Sequence, residues 1–513
     1  MDLEGALVPP ETPHAGHAIP DETSPPAWWI RFPALIAGPA LAALLLRWAI
    51  AEPSTAAAGP ASLGREGGVV LGLLCWMAIW WLFQAVPIAV TALLPVVVLP
   101  LLGVSTFRAA AAPYANDVIF LFAGGCLLAL AIDRHGLGRR FAAAILSVAG
   151  TRPRAIVAAF VVVTAALSSM VSNTATVAIV LPLAMGAIAF VARHAEVDDG
   201  PDLEARRSSM VRRFSIALLL AVAYAANIGG CLTIVGSPPN AIGAKLLSEQ
   251  TGEPITFLGW MRFGVPVVLV LLPAMWALLT FVLLPLGALR LRSTQGPTFE
   301  PPPPMRREGW FTLAVFLATV AAWVTRPLWP EQLAAIGDWG IAAIAAVLLL
   351  GVPLRLHGGA ASLEARDLSR LPWGVFILFG GGISLAAAMK AHGVDAYLGS
   401  LFTDLEGLSP WIVVAAVVAS VVFLTEVTSN TAVASAIIPV LLALGEALAI
   451  PPAELVLTVA ISANLAFMLP VGTPPNALVY STNLVPVRSM IQAGLVLNLV
   501  AIVVLTVLSR LLL

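Results

Sequence analysis

The chain has 513 residues, of which 27 are Lys or Arg and 28 are Asp or Glu, for a formal net charge of −1. Charged residues make up 11% and apolar residues 59%, where a soluble domain carries about 25% charge. These values exclude a soluble fold and a single anchor on a soluble body, and they give no sign of nucleic-acid binding.

The tail Met1–Pro26 is acidic and lacks the basic start of a secretory signal, so it is not expected to be cleaved. Beyond it, apolar runs have the length of about 17–25 residues that spans a bilayer core as a helix. Spanning helices are predicted near Pro33–Ile50, Gly68–Gln84, Pro87–Leu102, Asp117–Ile132, Phe214–Asn227 and Phe263–Leu289. Others fall near Trp310–Val324, Trp339–Leu350, Trp373–Met389, Glu454–Phe467 and Ser489–Leu512, which makes eleven. Two further stretches, Arg154–Arg193 and Ser409–Ile450, are each long enough for two helices but carry the same polar triplet at their centre. The hydrophilic piece Glu196–Arg213 reads as an exposed loop, and Arg290–Glu308, with its run Pro301–Pro304, as a stiff connector. Cys75, Cys126 and Cys231 lie in apolar stretches with no CxxC pair and read as packing residues.

The connector divides two copies of one pattern. Ser172-Asn173-Thr174 recurs as Ser429-Asn430-Thr431, Leu121–Gly125 as Leu378–Gly382, and His135-Gly136 as His392-Gly393, all at an offset of 257. Gly236-Ser237-Pro238-Pro239-Asn240 recurs as Gly472-Thr473-Pro474-Pro475-Asn476 at an offset of 236, as deletion of the Glu196–Arg213 loop requires. If the interrupted stretches re-enter from one face, each copy has five crossings, and the odd number inverts the second relative to the first. The expected fold is an all-α polytopic membrane protein with about 11 transmembrane helices and two re-entrant hairpins in two inverted repeats. Its parts are a cytoplasmic tail (1–32), a first helix and connection (33–67), repeat 1 (68–289), a cytoplasmic linker (290–308) and repeat 2 (309–513). The hairpins fall at about 154–193 and 409–450. With the N-terminus inside, inner interhelical segments hold 18 basic residues against 8 outside, which predicts a cytoplasmic N-terminus and an external C-terminus.

Polar triplets at mid-membrane depth must find partners. A hairpin tip frees backbone N–H groups at the start of its second arm, whose partial positive charge suits an anion, and the Ser, Asn and Thr side chains add neutral donors. Two such tips facing each other suit the two ends of a small dianion. Helix–helix glue is the competing reading, and recurrence at equivalent positions of both copies favours a site. The paired prolines of Gly236–Asn240 and Gly472–Asn476 must unwind their helices, and freed carbonyls are good cation ligands. Ser168 lies one turn before the first triplet and maps onto Thr425, completing an all-oxygen shell suited to sodium in each half. Glu426 has Ser169 as its counterpart and reads as structural or tuning, with a proton relay as the alternative. His135 and His392 read as polar interfaces, and Leu121–Gly125 and Leu378–Gly382 as close packing. No Walker, GxSxG, HExxH or dinucleotide motif occurs, so the chain is not expected to be an enzyme, and an ion gradient is the expected energy source.

With these motifs the sequence resembles the divalent anion/sodium symporter family. The resemblance rests on Ser172–Thr176, Ser429–Ala432, Gly236–Asn240, Gly472–Asn476 and the segment Trp80–Ile88, where Gln84 stands in place of the family's frequent Glu. It covers the chain from about Gly68 to the C-terminus. The resemblance implies a homodimer in the plasma membrane in which a transport domain slides past a scaffold, an elevator mechanism. It implies carboxylate contacts from Ser172, Asn173, Thr174, Ser237, Ser429, Asn430, Thr431, Thr473 and Pro474. One sodium site would use Ser168, Asn173 and the Gly236 backbone, and the other Thr425, the Thr428 backbone, Asn430 and the Gly472 backbone. The leading expectation is sodium-coupled uptake of a C4-dicarboxylate such as succinate, fumarate or malate. Sodium-independent dicarboxylate exchange, or citrate or sulfate as substrate, are the alternatives.

Overall fold

A computed structural model describes residues 28–51, 63–147, 149–196, 203–292, 296–297, 303–334, 336–354, 361–401 and 407–513. Most of the predicted N-terminal tail, part of the Pro301–Pro304 run and most of the connection after the first helix lie outside these residues. Among the described residues ten helices are long and apolar enough to cross a membrane, and five shorter apolar helices accompany them. The strand content of the described residues is one antiparallel pair, Ala195–Glu196 against Arg290–Leu291, which ties the end of the first interrupted stretch to the start of the linker.

Both interrupted stretches form helical hairpins. The first has arms Pro153–Ser168 and Asn173–His194, the second Pro410–Leu424 and Asn430–Ala447. The breaks fall at the triplets because Ser172 and Ser429 are N-caps, accepting from the amides of Ala175 and Ala432 at 3.3 and 3.5 Å. A serine with extended backbone and a capping hydroxyl starts a helix more readily than it continues one.

The Pro-Pro segments break two further helices. The first broken helix runs Leu203–Gly230, unwinds, and resumes as Pro238–Thr251. The second runs Pro452–Ser462, unwinds, and resumes as Pro474–Tyr480. Every residue from Phe214 to Gly230 and from Glu454 to Ser462 is buried, so these helices are apolar all round and form the centre of the bundle. Each packs on the hairpin of its own repeat, but the halves after the breaks cross over. Pro238–Thr251 lies on the second arm of the second hairpin, and Pro474–Tyr480 on the second arm of the first. The two copies are thus interlocked at their unwound segments.

Three expectations need correction. The run Pro87–Leu102 is two short helices, Ile88–Thr91 and Leu94–Leu101, because Pro95 has no N–H to carry the ladder across. The loop expected at Glu196–Arg213 is helical from Leu203 onward. Its exposed turns are rich in helix formers, and Arg207 donates to the carbonyls of Ala192 and Arg193 that end the first hairpin. The helix expected over Glu454–Phe467 ends at Ser462: the amides of Asn464 and Leu465 tighten to carbonyls three residues back, and that of Phe467 bonds to the Glu426 carboxylate. The glycine motifs pack closely, as expected: a Cβ on Gly124 would lie 2.7 Å from the carbonyl oxygen of Ala342.

Candidate functional site

Behind each hairpin tip three oxygens converge. In the first half, Ser168 Oγ lies 2.6 Å from Asn173 Oδ1 and 2.7 Å from the Ala226 carbonyl oxygen. In the second half, Thr425 Oγ1 contacts Asn430 Oδ1 and lies 2.9 Å from the Ala463 carbonyl oxygen. Ser168 and Thr425 are fully buried. A hydroxyl carries one proton, so in each cluster it can serve only one of two acceptors at a time. The other acceptor keeps an unshared lone pair in a dry interior, where it suits a monovalent cation. The first cluster is set by close packing: a Cβ on Gly230 would lie 2.6 Å from Asn173 Oδ1.

Gly236 and Gly472 adjoin these clusters. A Cβ on Gly236 would stand 3.1 Å from the Ser169 carbonyl oxygen, and one on Gly472 would stand 3.3 Å from that of Glu426. The unwound backbone therefore comes against the hairpin turn in both halves. Thr428 turns its hydroxyl back to the Leu424 carbonyl at 2.8 Å, so its side chain takes no part in the cluster.

On the outer side of the tips, Ser172 is exposed, and Asn173, Thr174, Ser429, Asn430, Thr431 and Pro474 are partly open. The hydroxyls of Thr174 and Thr431 have no protein partner among the described residues, which leaves them available to a ligand. Ser237 and Thr473 differ from expectation. Both are buried, and their hydroxyls are engaged across the repeats: Ser237 Oγ donates to Asn464 Oδ1, and Asn227 Nδ2 donates to Thr473 Oγ1 at 3.1 Å.

The sequence reading named the Asn of each Pro-Pro-Asn motif and Glu426 without their partners. Asn240 Nδ2 donates to the carbonyls of Gly230 and Thr233 at 2.8 and 2.7 Å, and Asn476 Nδ2 to those of Ala466 and Leu469 at 3.1 and 3.0 Å. The Asn of each Pro-Pro-Asn motif is therefore a clamp on the unwound backbone, and these four carbonyls already have donors. Glu426, 3% exposed, accepts from the amides of Phe467, Met468 and Leu469 and from Asn498 Nδ2. Asn227 and Asn464, which the sequence reading did not pair, occupy equivalent positions in the two copies, and that recurrence is a signal that could have found them. His135 bonds to Ser362 and His392 to Glu66, at polar contacts away from the clusters.

Similar proteins share this architecture. The chain is 37% identical over 456 residues to the sodium-dependent dicarboxylate transporter SdcS of Staphylococcus saprophyticus, covering 87% of this chain and 86% of the relative. It is 35% identical over 457 residues to SdcS of Staphylococcus aureus RF122, with the same coverage. In fold it is similar to the crystal structure of the Alcanivorax borkumensis YdaH transporter, with a TM-score of 0.54 and 12% identity over 94% of this chain and 96% of that one. These proteins are transporters, not enzymes. Residues 40–512 match the family of the sodium:sulfate symporter transmembrane region, and with a match that spans nearly the whole chain, this protein belongs to that family.

Proposed function

We propose that the protein is a secondary active transporter that couples sodium entry to uptake of a C4-dicarboxylate of the succinate, fumarate and malate class. The observation that carries this reading is the paired oxygen clusters, Ser168–Asn173–Ala226 and Thr425–Asn430–Ala463, each with one proton for two acceptors behind a hairpin tip. Sodium would occupy these clusters, with the backbone at Gly236 and Gly472 closing them. The dianion would lie between the tips, held by the N-terminal amides of the second arms and by Ser172, Asn173, Thr174, Ser429, Asn430, Thr431 and Pro474. Bound cations then supply the charge that the protein withholds, because among the described residues no Lys or Arg side chain belongs to either cluster. Ser237 and Thr473 shape this space from behind, since their hydroxyls are bonded to Asn464 and Asn227.

The names of the SdcS relatives support sodium and a dicarboxylate. The interlocked packing supports movement by an elevator, since the broken helices share buried polar bonds across the repeats and would move with their hairpins against the remaining helices. The protein would work as a homodimer in the plasma membrane, with the N-terminus cytoplasmic and the C-terminus outside. The basic-residue asymmetry supports this orientation, and the bonding of Arg134 to Glu364 and Asp367 joins two segments that the topology puts on one face. The domain division follows the repeats, 68–289 and 309–513.

The test is uptake of radiolabelled succinate into proteoliposomes, with and without an inward sodium gradient. Accumulation that depends on the gradient is the expected result. Uptake indifferent to sodium but driven by internal dicarboxylate would overturn symport.

A further inference from the structure

The two oxygen clusters stand on one backbone plan but differ by a full negative charge. In the second half, Glu426 Oε1 accepts from the amides of Phe467 and Met468 at 2.7 and 2.9 Å and from Asn498 Nδ2 at 2.8 Å. Its Oε2 accepts from the amides of Met468 and Leu469 at 3.0 and 3.1 Å. Among the described residues no Lys, Arg or His pairs with it. A Cβ on Gly472 would lie 3.1 Å from Glu426 Oε2, so the carboxylate reaches the glycine that closes the second cluster.

In the first half every member of this arrangement is neutral. Ser169 holds the place of Glu426, and its hydroxyl bonds only to the Ala166 carbonyl of its own helix. Thr233 holds the place of Leu469, and its hydroxyl joins the Ser169 carbonyl to the Gly236 amide. The last helix of each repeat presses a glycine on the unwound segment, Gly264 in the first and Gly494 in the second. One turn beyond, Asn498 in the second half corresponds to the buried Val268 in the first. Carboxylate and amide donor occur together in one copy and are absent together from the other.

A buried anion without a cationic partner is costly, and hydrogen bonds from successive amides offset only part of that cost. A cation in the adjoining cluster would offset the rest. Resting on the sodium-coupled reading above, we propose that Glu426 is a positioning residue and fixed counter-charge that makes the second-half cation site the tighter of the two and the first to fill. The carboxylate also holds the amides of 467–469, which aims the following carbonyls and Gly472 at that cluster. The first-half site, with no such charge, is left as the weaker one, filled as sodium rises.

The test uses full-length protein in detergent and in proteoliposomes, with Glu426→Gln, Asn498→Val and the double variant Glu426→Gln/Asn498→Asp, which returns the charge to the same cluster. Two readings are taken for each folded variant: the sodium dependence of its melting temperature without substrate, and the sodium dependence of succinate uptake. Glu426→Gln is expected to raise the half-saturating sodium concentration about tenfold or more, equivalent to at least ~1.4 kcal/mol, with uptake at saturating sodium retained. The double variant should restore sodium affinity, and Asn498→Val, which keeps the charge, should not weaken it. Unchanged sodium dependence in Glu426→Gln would overturn the proposal. If that variant does not fold, weakened sodium affinity in Asn498→Val would overturn it instead. A wild-type protein whose melting and uptake ignore sodium would defeat the symport reading itself, a result visible before any variant is compared.

Discussion

Asn227 of the first broken helix donates to Thr473 of the second at 3.1 Å, and Asn464 of the second accepts from Ser237 of the first. The two contacts are pseudo-symmetric and join segments more than two hundred residues apart. They make the unwound centre a single cross-braced unit, because all four side chains are buried. Replacing Asn227 with Ala removes a buried donor shared by the Ala466 carbonyl and the Thr473 hydroxyl, which then keep only the Asn476 side-chain and backbone amides. We expect Asn227→Ala and Asn464→Ala each to lower stability by about 1–3 kcal/mol. The check is a shift to a lower melting temperature in detergent. An unchanged melting temperature would show that water replaces the brace.

The oxygen clusters give a sharper expectation for transport. Asn173→Ala and Asn430→Ala each delete one of three converging oxygens and one donor at the tip. Uptake should fall at least about tenfold, since each loses ligand contacts worth more than ~1.4 kcal/mol. Size-exclusion profiles should match wild type. Normal uptake by both variants would remove the proposed site.

Gly230 tests the same site through packing. A Cβ there would lie 2.6 Å from Asn173 Oδ1, so Gly230→Ala must displace the amide or the helix, at about 1–3 kcal/mol. Sodium-dependent uptake should be lost even though no ligand atom is deleted. At Gly186, in the same hairpin, an added methyl would meet nothing within 4 Å, and Gly186→Ala should transport like wild type.

The end of the second hairpin carries a removable strain. Ala449 follows the helix C-cap with φ at +53°, the left-handed region that glycine adopts without a Cβ clash. Ala449→Gly should raise stability by about 1 kcal/mol, read from the unfolding midpoint. A decrease would mean that Ala449 packing outweighs the backbone term.

Glu454 is 1% exposed at the start of the second broken helix and meets Arg510 of the last helix at 2.7 Å. Arg510→Ala leaves that carboxylate without its partner and should cost about 3–5 kcal/mol. Pairing it with Glu454→Gln should recover much of the loss. By contrast Arg292, 83% exposed beside Glu196, should tolerate Arg292→Ala with a change below about 1 kcal/mol.

Much of this was legible before any coordinates. Ser172–Thr174 and Ser429–Thr431 stood out because polar triplets in apolar runs are rare, and their common offset marked the repeat. Ser168 and Thr425 each lie one helical turn before a triplet, which put them near the tips, but their contacts with Asn173 and Asn430 cross the hairpin break and join the two arms. The hydroxyls of Ser237 and Thr473 were harder to place. Spacing put them near the tips, but nothing local revealed that Asn464 and Asn227 occupy them. The helix over Glu454–Phe467 was overextended for a related reason: its mostly apolar end favours a continued helix, and nothing local revealed that the Phe467 amide bonds to the Glu426 carboxylate on another element.

Composition, run lengths and recurring motifs therefore determined that this is a polytopic membrane protein of two inverted copies, with its polar residues concentrated at two hairpin tips and two Pro-Pro breaks. Those are properties of neighbouring residues, and hydrocarbon enforces them segment by segment. The tertiary structure alone decided which buried donor meets which acceptor, because satisfaction of polar groups in a dry core is settled between elements distant in the chain. That decision turned Glu426 from an unmatched residue of one repeat into the charge that distinguishes the two halves.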